Sequence, residues 1–202
     1  MTGLLIAACG TTRPTSSAST SAGSVAASAA SATASPGTPS ASPSLAAVQA
    51  DPSLLDVLTA SPAKLNVTYD PDTTASVMAD PSVAGDLSAL AIGLATPAAQ
   101  ASPQEFVIAN VARLRDPTKS DAWFRSWRDT YDQAACEQAG GVQGNAETQM
   151  SGQTVYIGSC RNGALTYHVR LEDGSIVISM TSIGPSRLGE RLVRATLASS
   201  AP

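Results

Sequence analysis

The first fifty residues of the chain contain a single charged side chain, that of Arg13, and almost nothing that a folded core could bury. Between residues 10 and 45, nearly every residue is Ser, Thr, Ala, Pro or Gly. Ordering the backbone costs about 1–2 kcal/mol per residue, and this composition offers no apolar burial to offset that cost. We therefore predict a disordered linker over residues 10–48 and one globular domain over residues 49–199.

The charged residues are concentrated in the predicted domain and make it acidic. Residues 51–202 contain 11 of the 12 Lys and Arg residues and all 16 Asp and Glu residues, which gives a net charge of −5. An acidic domain without a Lys/Arg cluster is unsuited to nonspecific nucleic-acid binding, which needs several cations facing phosphates. No apolar run approaches the roughly 18 residues of a membrane-spanning helix. We expect neither a nucleic-acid partner nor an integral membrane protein.

The N-terminus places a short apolar stretch directly before a cysteine. The residues Ile6-Ala7-Ala8-Cys9, followed by Gly10, resemble the lipobox of bacterial lipoproteins. The resemblance implies that residues 1–9 are a partial signal peptide with its lipobox, that cleavage occurs before Cys9, and that Cys9 is acylated. The partner of acylated Cys9 is then the lipid bilayer of the cell membrane, at its extracytoplasmic face. Each buried acyl CH₂ contributes about 0.8 kcal/mol, and stable anchoring takes more than one chain.

Asp-Pro pairs mark the starts of short helices in the domain. An Asp side chain suits the N-cap, and Pro suits the first helical position because its missing N–H would be unpaired there. We predict helices from Asp70 to Ala79 and from Asp80 to about Ala89. The four pairs are Asp51-Pro52, Asp70-Pro71, Asp80-Pro81 and Asp116-Pro117.

The longest predicted helix runs from Asp121 to about Gln138, with Ser120 as its N-cap and two glycines after its end. Its aromatic residues share one face, which favours packing against a sheet, with an aromatic ligand platform as the alternative. On the opposite face, two i, i+4 pairs predict surface ion pairs. The aromatic residues are Trp123, Phe124, Trp127 and Tyr131, and the charged pairs are Arg125/Asp129 and Arg128/Asp132.

Alternating apolar and polar residues predict a series of strands joined by glycine-containing turns. In the strand over residues 165–171, Thr166, His168 and Arg170 share one side, so we expect His168 to be exposed on a wet face. Ser186 is predicted to cap a last helix that presents arginines to solvent. The predicted strands cover residues 65–69, 89–95, 106–114, 146–150, 154–160, 165–171 and 176–181.

These elements together predict an α+β fold, in which an antiparallel β-meander has helices packed on one face. Apart from Cys9, the chain has two cysteines, Cys136 near the end of the long helix and Cys160 at the end of a strand. Two cysteines are an even count for an exported domain, and we predict that they form one disulfide between helix and sheet. A catalytic thiol and a metal-binding pair are the alternatives.

The sequence contains one histidine, His168, and no motif joins it to a carboxylate or a nucleophile. No P-loop, zinc-protease or serine-hydrolase signature occurs, and the paired carboxylates lack the central glycine and final glutamate of a calcium loop. We therefore predict no catalytic residues, no cofactor and no metal ligands.

We interpret the chain as a membrane-anchored extracytoplasmic lipoprotein whose domain binds an extracytoplasmic ligand or an envelope protein without catalysis. One alternative is an envelope scaffold that binds no small ligand. A second alternative is a hydrolase with a dispersed site near His168 that includes Asp129 and Arg170. The candidate ligand contacts are Trp123, Trp127, His168 and Arg170.

Overall fold

The computed structural model of the chain describes residues 47–59, 65–98, 105–171, 174–185 and 187–199. The predicted signal peptide with Cys9, nearly all of the predicted linker and the predicted helix cap Ser186 lie outside the described residues. Within the described part of the chain, no helix has both the length and the apolar character needed to cross a bilayer.

The described strands form one sheet: β1 (Gln49–Ala50), β2 (Leu65–Tyr69), β3 (Leu87–Pro97), β4 (Phe106–Leu114), β5 (Val142–Met150), β6 (Gln153–Cys160), β7 (Leu165–Leu171) and β8 (Ile176–Ile183). Their order is β1-β3-β4-β8-β7-β6-β5, and β2 pairs with β3 on the same side as β1. Only the pairing of β1 with β3 is parallel among these strands. The last four strands run side by side in chain order, which is the predicted meander.

The described α-helices are α1 (Asp56–Thr59), α2 (Pro71–Met78), α3 (Pro81–Ala84), α4 (Asp121–Cys136) and α5 (Leu188–Ser199). The predicted caps are present: Asp70 accepts a hydrogen bond from the amide of Thr73 at 2.9 Å, and Asp80 accepts one from Ser82 at 2.8 Å. The amide and hydroxyl of Thr73 hold the pKa of Asp70 below its ordinary value. The prediction that the second helix continues to Ala89 is wrong, because β3 begins at Leu87 and pairs with β4.

The helices lie on both faces of the sheet, whereas the sequence predicted them on one face. On one face, α4 buries Phe124 against the core that also contains Val177 of β8. On the other face, α1 and α5 pack on Tyr167 and Met180. The difference arises because α4 packs on the side of β7 whose polar residues predicted a solvent-exposed face. The α+β class and the antiparallel sheet are confirmed.

The predicted disulfide joins Cys136, the last residue of α4, to Cys160, the last residue of β6. The two Cα atoms are 5.1 Å apart, and both side chains are fully buried. In the chain-entropy account, closing a loop of this size stabilises the domain by about 3 kcal/mol. The disulfide fixes the C-terminal end of α4 to the sheet.

Candidate functional site

His168 is buried beneath α4, not exposed as the sequence predicted. Its side chain is 1% exposed, because it projects from β7 toward the helix. The ring of Tyr131 on α4 stands edge-on to the imidazole, with the ring centroids 5.2 Å apart. A buried imidazole is stable only where both ring nitrogens have hydrogen-bond partners. Both partners are present.

The first partner is Asp132 of α4. His168 Nε2 lies 2.8 Å from Asp132 Oδ1, and Thr166 Oγ1 donates to the same oxygen at 2.5 Å. The predicted surface pair between Asp132 and Arg128 is therefore wrong, since Asp132 is 5% exposed and faces the sheet. The predicted ion pair between the other i, i+4 residues of α4 is also absent from the described structure.

Gly158 of β6 provides the space that this carboxylate occupies. A Cβ atom at Gly158 would collide with Oδ2 of Asp132 and with Oγ1 of Thr166. The amide of Gly158 donates to Thr166 Oγ1 at 3.1 Å, so the threonine hydroxyl accepts from β6 and donates to α4. A larger residue at position 158 would force the helix away from the sheet.

The second partner of His168 is Ser179 of β8. His168 Nδ1 lies 3.0 Å from Ser179 Oγ, and Trp127 Nε1 donates to that oxygen at 3.0 Å. An indole N–H can only donate, so Ser179 accepts from Trp127 and its own proton is free to point to Nδ1. An ionised carboxylate can only accept, so a neutral imidazole places its proton on Nε2, donates it to Asp132 and accepts the hydroxyl proton of Ser179 at Nδ1. Each polar atom in this chain of contacts has a definite role.

Ser179, His168 and Asp132 are the residue types of a hydrolase triad, but their arrangement does not suit that chemistry. In the triad, the carboxylate holds Nδ1 and the nucleophile faces Nε2, and here these positions are exchanged. Ser179 is fully buried, and Trp127 occupies the side of its oxygen that a substrate would need. We therefore assign these residues, together with Thr166, to a structural polar network that holds α4 on the sheet.

The side chain of Trp123, one turn before Trp127 on α4, is hydrogen-bonded to Asp86. Its Nε1 donates to Asp86 Oδ2 at 2.7 Å, and Lys119 forms an ion pair with the other carboxylate oxygen at 2.5 Å. Partial burial of Asp86 opposes ionisation, but these hydrogen bonds outweigh it and hold the pKa of the carboxyl below its ordinary value. The two tryptophan rings lie 5.6 Å apart.

Arg128 projects from the other side of α4 and lies on an aromatic surface. Its Cζ atom is 3.7 Å from the ring centroid of Tyr156 on β6 and 5.6 Å from that of Phe124. Its Nε is buried without a hydrogen-bond partner. Within the residues that the structure describes, the guanidinium also has no ion-pair partner.

The four ligand contacts predicted from the sequence do not converge on one open site. Trp123 and Trp127 are neighbours on α4, but their indole N–H groups are bonded to Asp86 and Ser179. His168 lies below Trp127 in the polar network. The Cζ atom of Arg170 lies 5.6 Å from the ring centroid of Phe124, and its guanidinium donates to the carbonyl oxygen of Pro117 at 3.2 Å. Whether any of them contacts a ligand stays a prediction.

Sequence reasoning missed Asp132, Ser179 and Arg128. One signal could have identified Asp132: it precedes Cys136 by one helical turn, and residues at i and i+4 share a face. The predicted disulfide requires Cys136 to face the sheet, so Asp132 must face it as well. Ser179 carries no comparable signal, because only the strand register places it opposite His168.

No cluster of three His, Cys, Asp or Glu residues suited to a metal ion occurs among the described residues.

Comparisons with known proteins give no match: no protein-family model, no curated protein and no solved structure matches this chain.

Replacing Asp132 tests the polar network. Asp132→Ala leaves His168 and Thr166 buried without their acceptor, and we expect it to lower the free energy of unfolding by about 3 kcal/mol. Asp129→Ala, on the exposed side of the same helix, is the matched control and should change it by less than about 0.5 kcal/mol. Urea unfolding followed by tryptophan fluorescence measures both. Equal effects of the two substitutions would contradict the assignment.

Proposed function

We propose that this chain is an exported, lipid-tethered binding module that holds an anionic group of its ligand at Arg128. Two features support the exported state. Ile6-Ala7-Ala8-Cys9 resembles a lipobox and precedes a linker-like segment. The Cys136–Cys160 disulfide is typical of proteins that fold in an oxidising compartment.

The single observation that carries the binding proposal is the unpaired guanidinium of Arg128. Removing a charge from water is costly unless a partner compensates, and buried or half-buried cations in proteins are usually paired. Arg128 is half-buried on Tyr156 and has no carboxylate partner in the described structure. The aromatic rings stabilise the cation, and its buried Nε–H has no acceptor among the described residues.

The chemistry of a guanidinium identifies the ligand class. Its planar set of donors matches a carboxylate or a phosphate in a two-point contact. Contact of the guanidinium with Tyr156, and at longer range with Phe124, restricts the side chain of Arg128, so less side-chain entropy is lost when an anion binds. The domain as a whole is acidic, so its net charge does not attract anions. The attraction of an anion to Arg128 is therefore local, and the geometry of the guanidinium selects the ligand.

The polar network supports a binding role over a catalytic one. The hydrogen-bonding capacity of Ser179, His168 and Asp132 is directed inward, toward one another and toward Trp127 and Thr166. A rigid α4 is what a preorganised Arg128 requires, because the helix carries the guanidinium and the network fixes the helix.

Substituting Arg128 tests the site. In the full chain carrying Cys9→Ser, titration with inorganic phosphate or acetate should shift the amide signals around Tyr156 in a saturable way. Arg128→Gln should weaken this binding at least about tenfold, since one charge-assisted contact contributes about 1.5–3 kcal/mol. Arg125→Gln, an exposed arginine on the same helix, should leave it within about twofold. Unchanged titration curves for Arg128→Gln would refute the site.

Substituting Cys9 tests the tether. In a bacterial host that exports the chain, the protein should partition with membranes, and Cys9→Ser should release it because the acylated sulfur is lost. Fractionation of cells followed by immunoblotting measures the distribution. Membrane association that persists after Cys9→Ser would contradict the anchor and would leave the Arg128 site unaffected.

A further inference from the structure

We infer that two copies of this chain pair along strand β5 to form one continuous sheet. This inference concerns a different surface from the Arg128 site and does not depend on it. β5 is the last strand of the sheet and pairs only with β6 in the described structure. Its nine residues, Val142–Met150, are mostly exposed.

The two edges of the sheet differ in how well they are protected. Edge strands avoid pairing with other chains by being short, by carrying charges or proline, or by twisting at a bulge. The edge beside β3 is divided between the two residues of β1 and the five of β2, which run in opposite directions. β5 is long, has no proline, and carries Glu147 as its one charge. Its bulge lies at its start, between Val142 and Gly144.

The hairpin turn shows which backbone groups of β5 face outward. Ser151 and Gly152, both with positive φ, form a two-residue turn, and Met150 pairs with Gln153 at its base. Hydrogen-bonded and non-hydrogen-bonded pairs alternate along an antiparallel ladder from that closing pair. The backbone N–H and C=O groups that point away from β6 are those of Asn145, Glu147 and Gln149.

The side chains on this edge determine the register of a second copy. An antiparallel copy with its two-fold axis at Ala146 places Glu147 opposite Asn145 of the second copy, and the reverse. This arrangement pairs a carboxylate with an amide donor and keeps the two Glu147 residues on a diagonal, where neighbouring residues are about 7–8 Å apart. A two-fold axis at Glu147 would place the carboxylates directly opposite each other, which is destabilising. An axis at Thr148 would place Glu147 opposite Gln149, but it would overlap only residues 146–150, whereas the axis at Ala146 overlaps all nine residues of β5. Charge and overlap together therefore select the axis at Ala146.

Light scattering of the full chain carrying Cys9→Ser tests the pairing. At about 100 μM, where a micromolar interface is occupied, we expect twice the mass of the 20.4 kDa chain. Glu147→Pro removes an outward N–H and no bond to β6, so it should weaken dimerisation at least about tenfold while the domain stays folded. Glu147→Gln keeps that N–H and should dimerise at least as well as the unmodified chain.

Disulfide trapping tests the register and does not depend on the proline variant. With the axis at Ala146, the two Ala146 residues form a non-hydrogen-bonded pair with Cα atoms about 4.5 Å apart, within disulfide range. Ala146→Cys should therefore give a covalent dimer under mild oxidation. Thr148→Cys is the matched control, because its two copies would lie about 13 Å apart.

A dimer that Glu147→Pro weakens and Ala146→Cys traps supports the inference. A monomer at the tested concentration overturns it, as does a dimer that a folded Glu147→Pro variant leaves intact. Trapping at Thr148 in place of Ala146 overturns the register with its axis at Ala146. None of these results bears on the phosphate titration, so failure of the pairing and failure of the Arg128 site remain distinguishable.

Discussion

The domain depends on one buried contact, the hydrogen bond between His168 of β7 and Asp132 of α4. Without a partner on the helix, the imidazole would leave a polar group unsatisfied at 1% exposure, which would destabilise the packing of α4 on that side of the sheet. With Asp132 as its partner, the same histidine fixes the height and rotation of α4. Gly158 gives the carboxylate space, and the disulfide at Cys136 fixes the end of the same helix.

One of the two surfaces for which we propose binding follows from this arrangement. A helix fixed by polar contacts and a disulfide presents Arg128 at a constant position on Tyr156, which preorganises the guanidinium. The second surface is the outer edge of β5, which pairs with β6 on one side and has no partner on the other side within the described structure.

Local patterns predicted much of the fold. β2 and β4 begin and end at the predicted residues, the aspartate caps form, and Cys136 pairs with Cys160. These features depend on nearby residues or on a count of cysteines. The prediction failed at β3, where the preference for a helix up to Ala89 is overridden by pairing with β4, because sheet pairing depends on residues distant in the chain.

The candidate site was less predictable for the same reason. His168 and Asp132 are 36 residues apart, and each sits in a pattern that reads as solvent-exposed when considered alone. A polar residue on a strand indicates a solvent-exposed face only if no helix packs on that face. The alternation of residues within one strand does not show whether a helix packs there. The spacing likewise predicted Arg128 to be one half of an i, i+4 ion pair, but its predicted partner Asp132 is buried and faces the sheet.

The Ser179–His168–Asp132 group forms a closed structural network that positions α4, and nitrogen NMR of the imidazole can detect this state of the ring. We expect a single tautomer, with the proton on Nε2 and an unprotonated Nδ1, and a ring N–H that exchanges slowly with water. A proton on Nδ1, or a ring N–H that exchanges rapidly with solvent, would contradict it.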